Sequence, residues 1–228
     1  TILYRMLAHH PDLAWFSQFS LRGGEIPGRT RFPFGGWINR AGRRAAGFTW
    51  RKQQNWDSIL PQPTEGSAIW RHLIERGDGF LDATSYTEEL AARVRSAIAA
   101  ELRAWRLDRM LVKKPYLTRT IELLDRIFPD AYFVHIVRDG RAVALSNRRR
   151  FMAHGLGPQE ALRRSAAVWV RTIDYVGRCG EVLGPERMMV LRYEDFCEDV
   201  HGWIARVLHF CDLDPTLMLS LIHISEPT

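Results

Sequence analysis

From residue 88 onward, the apolar residues of the chain alternate between two kinds of pattern. Apolar side chains three and four positions apart are typical of helices, and they predict helices at 88–106, 117–127, 142–149, 159–179 and 200–210. Short apolar runs rich in β-branched and aromatic residues are typical of buried strands, and they predict strands at 110–113, 132–137 and 188–191. Because strands that alternate with helices usually pair in parallel, the pattern predicts an α/β fold with helices flanking a parallel sheet.

The first third of the chain is less regular. An apolar stripe at helical spacing predicts a helix over 1–10, which Pro11 would end. Residues 23–63 are rich in Gly, Pro, Trp and Arg and have no periodicity, which predicts a long loop of the kind that often carries function. Ser85 and Glu88 have the spacing of a capping box, which would start the helix at 88.

Composition and charge restrict the class of protein. The 228 residues are 46% hydrophobic and 25% charged, values typical of a globular domain, and no apolar run has the length of a membrane span. The net charge of +6 suggests either an anionic ligand or a solvated basic surface. The three cysteines lack the spacing of a disulfide framework or a zinc site. We therefore expect no metal, and the free thiols favour a cytoplasmic location.

The stretch from Phe128 to Ser146 carries the strongest indication of chemistry. A predicted buried strand ends at Val137 and Arg138 follows it directly, at the edge of the sheet where α/β proteins bind ligands. Ser146 lies eight positions later, about two turns along the next helix. A guanidinium and a hydroxyl placed in this way suit a phosphate group. The alternative is a surface ion pair between Arg138 and Asp139, with Ser146 in no functional role.

Residues 128–146 resemble the segment of PAPS-dependent sulfotransferases that binds the 3′-phosphate of PAPS (3′-phosphoadenosine 5′-phosphosulfate). In that family an Arg and a Ser at this spacing hold the phosphate, and these roles fall on Arg138 and Ser146. The Arg-Asp-Gly-Arg variant is similar to bacterial members and to tyrosylprotein sulfotransferases, in which an Arg four residues after the Ser also contacts the nucleotide. That position is Arg150, whose alternative role is that of a solvated residue in the basic run 148–150.

Three shorter segments stand in the order that the family has. The sequence Leu-Val-Lys-Lys-Pro-Tyr at 111–116 is similar to a strand end whose Lys lies near the transferring group, a role that falls on Lys113. Tyr193 begins a Tyr-Glu-Asp segment whose Tyr lies beside the nucleotide in the family. Residues 1–11 resemble the helix that follows the family's 5′-phosphosulfate loop, with Thr1 as the last residue of that loop.

The resemblance also bears on the extent of the domain. It implies a P-loop-type parallel sheet whose first strand and phosphate loop would precede Thr1, so we expect the chain by itself to bind nucleotide weakly. It implies one sulfotransferase-like domain over 1–218. Residues 219–228 resemble the in-frame translation of a common sequencing adapter, and we expect them to be foreign to a natural gene of bacterial, metagenomic origin.

The resemblance leaves the general base unassigned. Cytosolic sulfotransferases place a catalytic His where this chain has Pro115. The tyrosylprotein enzymes use a Glu where this chain has Ser17 or Gln18, and neither side chain can act as a base. By residue type alone, the candidates are Glu65, His72 and Asp82.

The sequence therefore predicts an enzyme that moves a sulfuryl group from PAPS to a hydroxyl or amine, releasing PAP (adenosine 3′,5′-bisphosphate). The acceptor would be a small molecule, a glycan, a lipid or a peptide. One alternative is a P-loop kinase, which would use ATP and Mg²⁺, although ATP lacks the 3′-phosphate that Arg138 and Ser146 suit. The other is a non-catalytic basic nucleic-acid-binding module, which would interleave aromatic and basic residues as 23–63 does. We expect no nucleic-acid partner and no membrane span.

Overall fold

The computed structural model describes residues 2–17, 20, 63–74 and 81–218. The chain divides into two compact units. The first comprises Thr1–Phe80, Thr84–Leu117 and Asp214–Thr228, and the second comprises Leu81–Ala83 and Thr118–Leu213. The prediction of a single domain over 1–218 stays a prediction, and the tail at 219–228 lies outside the described residues.

The described part of the first unit includes two parallel strands and three helices between residues 2 and 111. In chain order these are α1 (Ile2–Leu7), β1 (Leu13–Trp15), α2 (Ser67–Ile74), α3 (Glu88–Trp105) and β2 (Arg109–Leu111). Strand β1 pairs in parallel with β2, so that Leu13 lies opposite Arg109 and Trp15 opposite Leu111. The carboxyl ends of both strands therefore lie at the same edge.

Two tryptophans form the centre of this unit. The rings of Trp15 and Trp105 are both almost fully buried, with their centroids 4.7 Å apart. The indole of Trp15 donates to the carbonyl of Ala8 at 3.0 Å, and that of Trp105 donates to the carbonyl of Trp15 at 3.1 Å. Because both buried N–H groups are hydrogen-bonded, the rings bury apolar surface without the cost of an unsatisfied donor.

Helix α3 begins differently from the prediction. Its N-cap is Thr87, whose hydroxyl accepts from the backbone N–H of Leu90 at 3.1 Å. Ser85 instead ends a short 3₁₀ helix, Ala83–Ser85. The predicted capping box of Ser85 and Glu88 is therefore wrong. A capping box that begins at Thr87 would need Glu or Gln three residues later, and that position is Leu90, whose side chain cannot bond back to the cap.

The second unit repeats the arrangement of parallel strands with flanking helices. Its elements are α4 (Ile121–Ile127), β3 (Phe133–Val137), α5 (Gly140–Ala153), α6 (Pro158–Leu183), β4 (Met188–Arg192), α7 (Tyr193–Glu198) and α8 (Val200–Phe210). Strands β3 and β4 are parallel, with Phe133 opposite Met188 and Val137 opposite Arg192. A buried cluster joins α4, α6 and the start of β4 through Ile121, Tyr175, Val176, Cys179, Leu183 and Met188.

The predicted elements from residue 88 onward are all present, and all except the helix at 200–210 have at least one shifted end. Helices α5 and α6 extend beyond 142–149 and 159–179 at both ends. The helix predicted over 117–127 is a 3₁₀ helix, Pro115–Arg119, followed by α4. Helix α1 stops at Leu7 instead of residue 10, and Pro11 disfavours helical backbone at His10. Strand β1 and helices α2 and α7 were not predicted. The loop predicted over 23–63 lies outside the described residues except for Pro63.

Across the ranges that the structure describes, no helix is both long and apolar enough to cross a membrane.

Candidate active site

The turn after β3 places Arg138 and Asp139 in different roles. Arg138 is exposed. The carboxylate of Asp139 caps α5, accepting from the backbone N–H groups of Arg141 at 2.9 Å and of Ala142 at 3.1 Å. The side chain of Arg141 also donates to it at 3.1 Å, and this contact is the main reason that the pKa of Asp139 is lowered. The Asp139 carboxylate is therefore bound at the start of α5. It forms no ion pair with Arg138, which was the alternative that the sequence offered.

Arg138 lies instead against Tyr193. The centre of its guanidinium is 5.1 Å from the centroid of the Tyr193 ring, a separation typical of a cation–π contact. Tyr193 is the first residue of α7, directly after β4. Because β3 and β4 end side by side, with Val137 opposite Arg192, the parallel pairing brings together two residues that the sequence had marked separately.

The backbone of this turn is held from two sides. The indole of Trp169, on α6, donates to the carbonyl of Arg138 at 3.1 Å. The N–H of Asp139 donates to the carboxylate of Glu194 on α7 at 3.1 Å, and this bond is the main cause of the lowered pKa of Glu194. At Gly140, an added Cβ would lie 3.1 Å from the Trp169 ring, so glycine is what allows the indole to approach the turn.

Ser146 and Arg150 both lie on α5 and are both exposed. A separation of four residues places them on the same face of the helix, one turn apart. Both side chains are therefore accessible to a ligand from solvent. Neither makes a hydrogen bond or an ion pair with another residue in the described ranges, so a role for either one stays a prediction.

Lys113 forms an ion pair with Glu65 in the first unit. Lys113 lies two residues beyond the end of β2, and the side chains of Lys113 and Glu65 retain 23% and 40% of their exposure. An ion pair this exposed contributes only about 0–1 kcal/mol to stability. The neighbouring Lys114 donates to the carbonyl of Ser67 at 3.4 Å. Lys113 is therefore a paired cation at the carboxyl edge of the strands.

The residues just before Glu65 are held by hydrogen bonds to the residues that follow β1. Ser17 forms an antiparallel bridge with Pro63, and the N–H of Thr64 donates to the carbonyl of Phe16 at 2.7 Å. The buried hydroxyl of Tyr4 donates to the carbonyl of Thr64 at 2.7 Å. These bonds hold residues 63–64 against the end of β1 and place Glu65 beside Lys113.

Gly66 completes this turn with a φ of +59°. An added Cβ would lie 2.6 Å from the Phe16 ring, so both the left-handed backbone and the close approach require glycine. The N–H of Trp70 donates to the carbonyl of Gly66 at 3.1 Å. The turn therefore leads directly into α2.

Other predicted site residues have a different status. Thr1, Gln18 and the side chain of His72 lie outside the described part of the chain. Ser17 is buried, and its hydroxyl accepts from the N–H of Ser20 at 3.3 Å. Asp82 belongs to the second unit, just before the 3₁₀ helix. No group of three or more His, Cys, Asp or Glu side chains that could hold a metal ion occurs among the described residues.

Two residues of the site and one contact were missed from the sequence. Trp169 gave no signal, because it lies within the apolar pattern of a long helix. Glu194 stands inside the Tyr-Glu-Asp segment but was not singled out. The pairing of Glu65 with Lys113 joins residues 48 positions apart, which no local pattern could indicate.

Parallel strands flanked by helices, with cationic side chains just beyond the strand ends, define an α/β protein suited to an anionic ligand. The chain belongs to the sulfotransferase family, whose model matches residues 1–216. The predicted family and fold class are thereby confirmed.

Two mycobacterial proteins, from Mycobacterium bovis and Mycobacterium tuberculosis, are each 32% identical to the chain over 108 residues. Both are named omega-hydroxy-beta-dihydromenaquinone-9 sulfotransferase Stf3. The match spans 43% of this chain and 27% of each relative.

Two solved structures share the fold. The crystal structure of sulfotransferase STF9 from Mycobacterium avium superposes with a TM-score of 0.66 at 15% identity, covering 100% of this chain and 66% of that one. The sulfotransferase domain from the curacin biosynthetic pathway superposes with a TM-score of 0.53 at 18% identity, covering 95% of this chain and 71% of that one.

Proposed function

We propose that the protein transfers a sulfuryl group from PAPS to an acceptor hydroxyl or amine. The observation that carries the proposal is the contact of the Arg138 guanidinium with Tyr193 at the joined carboxyl ends of β3 and β4. It unites the two segments that most resemble the nucleotide site of the family, and family membership supports it independently.

The 3′-phosphate of PAPS is held by Arg138, Ser146 and Arg150. All three side chains are exposed, and the planar fork of Arg138 can donate two parallel hydrogen bonds to phosphate oxygens. Tyr193 packs beside the adenosine, and its ring also contacts the Arg138 guanidinium. Thr1 acts on the 5′ side of the nucleotide.

Lys113 stabilises the charge that develops on the sulfuryl oxygens and on the departing phosphate oxygen. Sulfuryl transfer resembles phosphoryl transfer, since the attacking and leaving oxygens lie in line and the protein mainly positions groups and neutralises charge. A single ammonium directed at the bridging oxygen is well suited to that task. Its position at the strand ends and its half-buried ion pair support this role.

Of the two acceptor groups, hydroxyl and amine, the names of the relatives favour a hydroxyl, carried by a small molecule or a lipid. The two mycobacterial relatives are named for an omega-hydroxylated dihydromenaquinone, and one structural neighbour is named as a sulfotransferase domain from the curacin biosynthetic pathway. These names favour a small-molecule or lipid hydroxyl over a peptide or a glycan.

Nucleotide selectivity tests the proposal. Calorimetric titration of the full-length protein with PAP, ADP and ATP, each with and without Mg²⁺, is expected to show a preference for PAP of about tenfold or more that does not depend on Mg²⁺. A preference for ATP with Mg²⁺ would favour a kinase. Absence of nucleotide binding, with strongly salt-dependent binding to unrelated DNA, would favour the nucleic-acid module.

The Trp169–Arg138 hydrogen bond gives a second prediction. Trp169→Phe keeps an aromatic ring over Gly140 but removes the indole donor to the Arg138 carbonyl. We expect a loss of about 0.5–1.5 kcal/mol in PAP binding, or roughly 2- to 10-fold, because the turn that orients Arg138 is less restrained. Calorimetry measures this effect, and unchanged PAP affinity would show that the indole does not position the guanidinium.

Phe151→Leu, on α5, is the control for Trp169→Phe. The ring of Phe151 lies under the guanidinium of Arg164. Like Trp169→Phe, the Phe151→Leu substitution changes an aromatic side chain in the pair of helices α5 and α6. We expect PAP affinity within about twofold of the wild type.

A further inference from the structure

Lys113 and Glu65 form a matched pair of opposite charges beyond the ends of β1 and β2. The proposed function uses only the cation of this pair. A carboxylate that keeps 40% of its side-chain exposure is accessible to a substrate, and the turn at Gly66 fixes its place. The Glu65 carboxylate is therefore placed and exposed as a catalytic group would need to be.

We propose that Glu65 is the general base that takes the proton from the acceptor hydroxyl. This inference rests on the proposed sulfuryl transfer and extends it to the acceptor side of the reaction. In an in-line displacement, the group that stabilises the sulfuryl oxygens and the group that receives the acceptor proton must lie close together. The direct contact between the Lys113 ammonium and the Glu65 carboxylate meets that requirement.

The ion pair does not prevent either group from acting. An ammonium has three N–H donors, so Lys113 can keep one on Glu65 while another reaches the bridging or sulfuryl oxygen of PAPS. The Glu65 carboxylate has two oxygens with several acceptor positions, which leaves room for the acceptor hydroxyl. Lys113 then orients the base and stabilises the leaving oxygen at the same time.

The step balances with PAPS and the acceptor alone. The acceptor O–H proton moves to the carboxylate of Glu65, and the acceptor oxygen forms a bond to sulfur. The bond between sulfur and the bridging oxygen breaks, and its electron pair stays on the 5′-phosphate of PAP beside Lys113. The protonated Glu65 then returns its proton to solvent.

Neighbouring side chains are less suited to this role. Tyr4 is a neutral hydrogen-bond donor to Thr64, and burial, followed by the charge of Glu65, raises the pKa of its hydroxyl. Ser17 is buried and bonded to Ser20. Lys114 is a cation that donates to the carbonyl of Ser67. Glu65 is thus the one carboxylate in contact with Lys113 among the residues that the structure describes.

Glu65→Gln in the full-length protein tests the inference, because it keeps the size of the side chain and removes its basicity. With PAPS and a series of para-substituted phenols, kcat is expected to fall by about 10²- to 10⁴-fold. PAP affinity by calorimetry is expected to stay within about twofold. The loss should shrink as the phenol becomes more acidic, because an acceptor that is already ionised needs no base. Glu89→Gln, an exposed carboxylate on α3, is the matched control and should leave kcat unchanged.

The outcomes separate the inference from the proposed function. If the wild type binds PAP and sulfates phenols while Glu65→Gln loses activity with the expected dependence on phenol acidity, Glu65 is the base. An equal loss with every phenol, or a loss in PAP affinity, assigns Glu65 a structural role and overturns the inference alone. Full activity of Glu65→Gln does the same. A wild type that neither binds PAP nor sulfates any phenol overturns the proposed function and the inference together.

Discussion

Replacing Arg138 by alanine is expected to weaken PAP binding to the full-length protein by about 10- to 100-fold, because a hydrogen bond to a charged partner contributes about 1.5–3 kcal/mol. The guanidinium lies beside Tyr193 and its backbone is held by Trp169, so it is oriented before the ligand arrives. Calorimetric titration with PAP measures the loss. Binding of adenosine 5′-monophosphate, which has no 3′-phosphate, should change little.

Two further variants sharpen this test. Arg138→Lys keeps the charge but loses the planar fork, so we expect a loss smaller than that of alanine. Arg141→Ala removes the same charge three residues away, from a side chain that is 91% exposed and bound to Asp139. Its PAP affinity should stay within about twofold of the wild type. Equal losses at Arg138 and Arg141 would indicate a general effect of charge instead of a phosphate site.

Replacing Trp105 by alanine is expected to lower the free energy of unfolding by about 3–5 kcal/mol. Its ring is 2% exposed and packs against Trp15, on the strand whose end leads to the Glu65 turn. The substitution leaves a cavity that the neighbouring strand can fill only in part. Urea unfolding followed by circular dichroism measures the effect. A midpoint equal to that of the wild type would show that the two rings do not stabilise the unit.

Trp105→Phe separates the indole hydrogen bonds from the packing. The indole also donates to the carboxylate of Glu101 at 3.1 Å, so phenylalanine leaves buried acceptors without this donor at a cost of about 1–3 kcal/mol. Arg103→Ala, an exposed position on the same helix, is the control and should cost less than about 0.5 kcal/mol.

The pH dependence of Trp105→Phe follows from Glu101. Burial raises the pKa of the Glu101 carboxyl, and hydrogen bonds from Ser20 and Trp105 oppose that rise. A raised folded-state pKa means that the contribution of Glu101 to stability is present below its unfolded pKa and is lost as pH rises through the folded one. Losing the indole donor raises this pKa further. Trp105→Phe should therefore lower the free energy of unfolding more at pH 7 than at about pH 4.

The part of the chain from residue 110 onward shows how much of the fold local sequence patterns predict. Each strand and helix predicted from residue 110 onward was recovered, and the helix at 200–210 has the predicted bounds. Apolar periodicity is a property of neighbouring residues, so a sequence displays it directly. Strand β1 consists of only three residues, all of them buried. Because it is so short and has no alternation of apolar and polar residues, the sequence did not predict it. The cap of α3 was misplaced because Ser85 and Thr87 offer the same hydroxyl and only the backbone path selects one.

The sequence by itself determined the α/β class, the family resemblance, and the identity of Arg138, Ser146, Tyr193 and Lys113 as site candidates, because motifs and periodicity are local. Only the tertiary structure decided which of these side chains meet. The parallel register of β3 and β4 sets Arg138 on Tyr193, and the bridge from Ser17 to Pro63 brings Glu65 to Lys113. Such contacts depend on strand pairing and close packing between distant segments, and spacing along the chain carries no record of them.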